Sequence, residues 1–227
     1  MNTVGQFETD VFPTSAGELS ITFLGHGSLL INFKGMNIYV DVYGEVADYS
    51  KLPKADLIFL THEHYDHLDP KALAYIQKEK TVLVYTDACA QMVKGGIVMR
   101  NGDSQMVMGI PVEAVPAYNL VHKRPSGDPF HPKGSGNGYI LNFGGTRLYI
   151  AGDTENIPEM KVLKGIDIAF LPMNLPYTMT PEMVADAAKA FRPRILYPYH
   201  QGDTEVSKLG ELLKGEKDIE IRIRKMP

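Results

Sequence analysis

Apolar and polar residues alternate with a period of two along much of the chain, and Gly and Pro cut the pattern into short lengths. Residues 19–23 alternate as a strand, and 28–33 and 36–42 follow as a hairpin turned at Lys34-Gly35. The unbroken apolar run Leu57-Ile58-Phe59-Leu60 predicts a buried strand, and 82–85 another. Asp69-Pro70 supplies an N-cap and a first-turn proline for a helix running to about residue 80. A short helix is expected over 87–94, and 105–117 alternates like antiparallel strands. Residues 138–143 and 147–151 form a second hairpin, and 166–171 and 195–199 are apolar strands. Thr180-Pro181 starts a helix to about Phe191, 208–213 is helical, and 219–223 is a last strand. Strands then helix occur twice in that order. The pattern predicts an α/β fold of two β-rich halves with helices outside, a four-layer sandwich. No low-complexity segment or linker divides the halves, so residues 1–227 are expected to form one domain.

One segment carries chemistry rather than pattern. Directly after the 57–60 run comes Thr61-His62-Glu63-His64-Tyr65-Asp66-His67, so three of the chain's seven histidines fall within six residues. A strand ending in a ligand-rich loop lets a rigid scaffold present a metal site. In an extended turn His62 and His64 converge on one ion through different ring nitrogens, while Asp66 and His67 are offset toward a second. Asp153 follows the strand 148–150 within Gly152-Asp153-Thr154, and His200 follows the strand 196–199. All these groups lie just past the C-terminal ends of predicted strands, the edge where ligands gather in open sheets. Metal-bound imidazoles need a partner for their second nitrogen, and Asp41 at a strand end is the choice for that role. His26, between Gly25 and Gly27, is a further group that would lie near the site.

Composition narrows the chemistry. A net charge of -4, a pI near 6.0 and the lack of a basic run argue against a nucleic-acid partner. The single Cys89 excludes an internal disulfide and a thiolate-rich zinc site, so metal donors must be nitrogen and oxygen. No apolar stretch approaches the roughly 20 residues of a membrane span, so no membrane partner is expected. Residues 1–18 lack the basic start and apolar segment of a signal peptide, which favours a cytoplasmic protein.

The motifs His62-x-His64-x-Asp66-His67 and Gly152-Asp153-Thr154, with a strand closing on His200, resemble the metallo-β-lactamase superfamily over residues 21–200. The Leu24-Gly25-His26 start and the Gly-Asp-Thr-Glu form of the fourth motif look most like its lactonase-like branch. The resemblance implies the αββα metallo-β-lactamase fold with a one- or two-metal site between the sheet edges. It implies His62 and His64 on the first ion, Asp66, His67 and His200 on the second, and Asp153 bridging them. One departure is visible. The family supplies a further His after the strand 112–116, where this chain has Asn119, whose amide oxygen is a poorer zinc ligand than imidazole. His131, in the same loop, is the preferred replacement, with Asn119 and His122 as alternatives.

The implied cofactors are two divalent ions, zinc foremost, with manganese and iron as alternatives. The implied activity is metal-dependent hydrolysis of a small-molecule ester, lactone or phosphodiester by metal-activated hydroxide, with Asp66 as the catalytic group that orients the water or moves its proton. If the loop 118–138 overhangs the ions, its Lys123, Arg124 and Lys133 favour an anionic substrate, with 174–180 forming the opposite wall. Two other readings stand beside this one. A nuclease or RNA-processing enzyme of the same fold needs an extra domain or arm, for which this length shows no insertion. A non-catalytic metal-binding protein would keep the ligands without turnover. A diiron oxygen-reducing relative is disfavoured, because such relatives place a carboxylate at the His64 position and carry a flavin domain.

Overall fold

The structure, a computed structural model, describes residues 6–226. The first five residues of the segment read above for a leader lie outside the described residues. The first sheet contains β1 (Thr9–Thr14), β2 (Gly17–Gly25), β3 (Ser28–Phe33), β4 (Met36–Val40), β5 (Leu57–Phe59), β6 (Val82–Tyr85) and β7 (Ile97–Val98), in that spatial order. The second contains β8 (Ser104–Val107), β9 (Ile110–Ala117), β10 (Gly136–Phe143), β11 (Thr146–Ile150), β12 (Ile168–Pro172), β13 (Ile195–Tyr199) and β14 (Glu220–Ile221), again strictly in sequence.

Each sheet is built by the same rule. Its first four strands pair antiparallel and its last three are added parallel. The C-terminal ends of β4, β5 and β6 therefore share one edge, as do those of β11, β12 and β13. That shared edge is what lets residues far apart in sequence meet.

Helices α1 (Pro70–Ile76), α2 (Pro158–Lys161), α3 (Pro181–Phe191) and α4 (Lys208–Leu212) complete the layers. One core lies between the sheets and includes Ile21, Phe23, Phe59, Phe170 and Tyr197. A second packs Leu30, Tyr39 and Ile58 against Leu73 and Ile76 of α1, and a third packs Tyr149, Ala169 and Leu171 against Val184, Ala188 and Phe191 of α3. Central strands are buried on both faces, which is why they show as continuous apolar runs.

Two predicted elements change. α1 ends at Ile76 rather than near residue 80, because Gln77-Lys78-Glu79-Lys80 offers no apolar face to the sheet. The helix expected over 87–94 is only a 3-10 turn at Cys89–Gln91, stopped before Gly95-Gly96. The antiparallel strands expected over 105–117 are β8 and β9. The pattern missed β1, β7 and α2, which are short or sit at an edge with few buried side chains.

Edge strand β1 carries a clip between the two sheets. Asp10 accepts hydrogen bonds from Arg224 Nη2 (2.7 Å), Arg222 Nη1 (3.2 Å) and the Tyr197 hydroxyl. Burial pushes its carboxyl pKa up, but the bonds from Tyr197, Arg224 and Arg222 outweigh that and hold it below the usual value. A depressed folded-state pKa means the stabilisation is present above about pH 4 and is lost as pH falls through the folded value. Asp10→Asn is accordingly expected to cost about 1–3 kcal/mol at pH 7. Urea unfolding should show the gap to wild type narrowing below about pH 4; a gap that stays constant with pH would remove the charged clip as its cause.

Candidate metal centre

The site is assembled at the shared strand edge, and Asp41 organises it. Asp41 follows β4 in the left-handed region at φ 50, and is fully buried. Its Oδ1 accepts from the Thr61 backbone N–H (2.8 Å), and its Oδ2 accepts from the Thr61 hydroxyl (2.8 Å) and His67 Nδ1 (2.7 Å). With its hydrogen given to Asp41, the Thr61 oxygen accepts from His62 Nδ1 at 3.0 Å. Both imidazoles thereby donate through Nδ1, which turns Nε2 toward the centre. His64 approaches differently, presenting Nδ1 at 3.1 Å from His62 Nε2.

The second sheet supplies Asp153 and His200. Gly152, at φ 65, turns the chain after β11, and a Cβ there would sit 2.7 Å from the Asn137 carbonyl oxygen. Asp153 Oδ2 then lies 3.3 Å from His131 Nε2, 3.4 Å from His200 Nε2 and 4.0 Å from His62 Nε2, while Oδ1 lies 3.4 Å from His67 Nε2. Asp66 Oδ2 lies 3.7 Å from His200 Nε2 and accepts from His26 Nε2 at 3.0 Å. The His26 ring sits with its centroid 3.7 Å from that of His200. Gly27 makes room for this crowding, since a Cβ there would meet His67 Cε1 at 2.8 Å. His26 and His200 share the left-handed backbone of Asp41, at φ 53 and 47, the kind of strain that collects at functional sites.

Donor atoms of His62, His64 and His131 lie within 4.8 Å of one another, as do those of His26, Asp66, His67 and His200, and those of His62, His67 and Asp153. His67 Nε2, His200 Nε2 and Asp153 Oδ1 are buried with no hydrogen-bond partner among the described residues. Orphaned polar atoms are costly, and here they face one another. The donor set, imidazole plus carboxylate, fits a divalent ion of borderline character. Burial, with the neighbouring His67 charge, drives His62 well below its usual pKa, and His64 is lowered chiefly by burial. Burial opposes charge on His67, but Asp153, Asp41 and Asp66 win and push it up to about 10. Burial works against ionised Asp66 and Asp153, yet the surrounding histidines hold both well below the carboxylate range. The pocket demands positive charge.

The loop after β9 carries His131, buried and with its ring centroid 5.1 Å from that of His62 and 4.9 Å from that of His64. Asn119, which took the expected position of a family His, gives its Oδ1 to the His131 backbone N–H and Nδ1 as acceptor. His122 turns to Glu155, its Nδ1 at 2.7 Å from Oε1 but outside hydrogen-bonding geometry. Lys133 is bound to Glu159 at 2.7 Å, away from the centre, whereas Arg124 lines the cavity. That cavity holds about 430 Å³ and reaches His64, Asp66 and Asp153 between the rings of Tyr43, Tyr65, Phe130 and Tyr177, with Asn174 on the 174–180 side. A larger hollow of about 620 Å³ opens beside Asp48, Asp69 and Tyr75 and contains no imidazole. The sequence reading passed over Thr61 and the aromatic wall. Thr61 had a signal in its place before His62; Phe130 and Tyr177 lie in the two loops expected to flank the ions, but the convergence of four rings from separate loops had none.

Residues 20–200 match the family described as the beta-lactamase superfamily domain. A UPF0173 metal-dependent hydrolase of Koribacter versatilis is 33% identical over 220 residues, covering 89% of this chain and 92% of the relative. One from Pelotomaculum thermopropionicum is 30% identical over 192 residues, covering 80% and 84%. A Parabacteroides distasonis protein of known crystal structure is 49% identical and superposes with a TM-score of 0.93, covering 97% of this chain and 100% of that one. Since the family match spans four-fifths of the sequence and the donor cluster lies inside it, the chain belongs to the metallo-β-lactamase superfamily, among its metal-dependent hydrolases.

Proposed function

We propose that this protein uses two divalent ions, zinc foremost with manganese and iron as alternatives, to hydrolyse a small anionic ester, lactone or phosphodiester. The observation that carries the reading is the convergence of His67 Nε2, His200 Nε2 and Asp153 Oδ1, buried and unpartnered, between two flanking groups of donors. His62, His64 and His131 would hold one ion, Asp66, His67 and His200 the other, and Asp153 would serve both. Divalent ions so held lower the pKa of water toward about 7 and offset charge on a substrate oxygen.

The chain's own residues supply the rest. Asp66, 26% exposed and the more open of the two carboxylates lining the cavity, would orient the attacking water. The His26 Nε2–H bonded to Asp66 Oδ2 keeps that carboxylate aimed. Arg124 stands at the mouth with its guanidinium 5.2 Å over Phe130 and Nη2 on the Phe130 carbonyl (3.3 Å), and no carboxylate pairs with it among the described residues. It therefore has charge to give to a substrate anion, while the surrounding rings take an apolar or planar part. No helix among the described residues is long and apolar enough to cross a membrane. A cytoplasmic setting accords with the buried, unpaired Cys89.

The test is hydrolysis of bis-p-nitrophenyl phosphate and of a panel of neutral and carboxylate-bearing lactones by the metal-loaded protein. Activity is expected to vanish with chelation. Arg124→Gln should raise KM for anionic substrates about 10-fold, the worth of one charge-assisted hydrogen bond, and shift neutral lactones by less than about twofold. A full complement of ions with no turnover on any of these substrates would sink the proposal.

A further inference from the structure

The Gly-Asp-Thr-Glu motif contains a second carboxylate that the reaction does not use. Glu155 is fully buried, two residues past Asp153. Its Oε2 accepts from the backbone N–H groups of Leu120 and Val121, both at 2.7 Å, and its Oε1 from that of His122 at 2.7 Å. Three consecutive amides thus close on one anion, which bends the chain where β9 gives way to the loop. The Glu155 N–H donates back to the Tyr118 carbonyl (3.0 Å), and the Tyr118 N–H donates to Thr154 Oγ1 (3.1 Å). Burial pushes the Glu155 carboxyl up, but the amides of His122, Val121 and Leu120, with Asn119, outweigh it and hold the group below the usual glutamate range.

Glu155 also holds Asn119. Asn119 Nδ2 donates to Glu155 Oε1 (3.2 Å) and to the Tyr177 carbonyl (2.9 Å), so the donor side of the amide faces only acceptors. The acceptor side faces only donors: Oδ1 takes both the His131 backbone N–H and His131 Nδ1–H, each at 2.8 Å. The Asn119 N–H closes the ring by donating to the His131 carbonyl at 2.9 Å. Every hydrogen-bonding site of this amide is used in one orientation, and that orientation fixes the tautomer of a ring eleven residues of loop away. His131 is left with a bare Nε2, 3.3 Å from Asp153 Oδ2.

Resting on the two-ion reading above, we infer that Glu155 and Asn119 are positioning residues that build the third imidazole of the His62–His64 side, Glu155 by shaping the loop and Asn119 by setting the His131 tautomer. The departure at Asn119 is then no missing ligand. The stretch at Asn119 anchors the loop, and the loop brings an imidazole back from position 131. Because Arg124 and Phe130 ride on that loop, the anchor also sets the substrate wall.

The experiment uses Asn119→Ala and Glu155→Gln in the full chain, with His200→Ala as the contrast on the other side. Zinc content by mass spectrometry and the visible spectrum of the cobalt-substituted protein report the ions. Ring 15N–1H spectra of the chelated protein report the His131 tautomer. Both positioning variants are expected to weaken one of two ions about 10- to 100-fold, the usual effect of removing a ligand's hydrogen-bond partner, and to leave the other unchanged. His200→Ala should lose the ion they retain. The wild type should show His131 as the Nδ1–H tautomer, and Asn119→Ala should lose that preference. Should Glu155→Gln fail to fold, Asn119→Ala carries the test, since it leaves the Glu155 amide contacts in place. Unchanged affinities for both ions, or a wild-type His131 protonated at Nε2, would overturn the inference. A wild type that binds no ion would defeat the two-ion reading instead, and the tautomer spectra would still decide the role of Asn119.

Discussion

Asp153→Asn is expected to empty both of the proposed ion positions and to lower kcat/KM by about 10³-fold or more, the equivalent of several kcal/mol of lost charge stabilisation. Among the described residues, Asp153 is the one carboxylate whose oxygens approach imidazoles of both groups, with His67 on Oδ1 and His131 and His200 on Oδ2. Asparagine keeps the volume and one acceptor but turns the other oxygen into a donor. That amide has either ring nitrogen lone pairs or nothing to face, and it cannot supply negative charge to two cations. The backbone at this turn is set by Gly152, which the substitution leaves alone. The variant should therefore fold, and circular dichroism of chelated protein should match the wild type. Metal content and the rate on bis-p-nitrophenyl phosphate decide it. Two ions retained with a near-normal rate would show that Asp153 serves neither.

The centre was legible where its chemistry is local. A ligand-dense hexapeptide directly after Leu57-Ile58-Phe59-Leu60 is visible without a structure, and so are Asp153 and His200 at the ends of apolar strands. Their meeting follows from the repeated sheet rule, because parallel strands added in sequence must end at one edge. What escaped the pattern depends on pairing across distance. Lys123, Arg124 and Lys133 are equivalent cations on paper; Glu159, from α2, takes Lys133 away and leaves Arg124 at the cavity. Asn119 and His131 stood as competing candidates, yet they are two halves of one hydrogen-bonded unit. The edge strands escaped for a different reason. β1 buries only Phe12, so its alternation carries little apolar contrast, and the Asp10 clip depends on Arg222 and Arg224 at the far end of the chain.

Asp41→Asn should strike two ligands at once while touching no ion. The buried carboxylate accepts three hydrogen bonds, one of them the bond that orients His67, and another the Thr61 hydroxyl whose oxygen orients His62. Asparagine at φ 50 is as tolerable as aspartate, so backbone strain does not change. The side-chain amide does change matters, because one of its ends must point an N–H at a donor. With the nitrogen at the Oδ2 place His67 Nδ1 and the Thr61 hydroxyl both lose their acceptor, and with it at the Oδ1 place the Thr61 backbone N–H does, so a buried donor is left unpaired either way. The expected result is a loss of about 3 kcal/mol in urea unfolding of the chelated protein. A fall of about 10- to 100-fold in affinity for both ions should accompany it, since His62 and His67 belong to different groups. Thr61→Val cuts only the branch to His62 and should weaken one ion, with Asp41 still holding His67. If Asp41→Asn lowers stability and leaves both affinities untouched, Asp41 holds the strand edge together and does not orient the imidazoles.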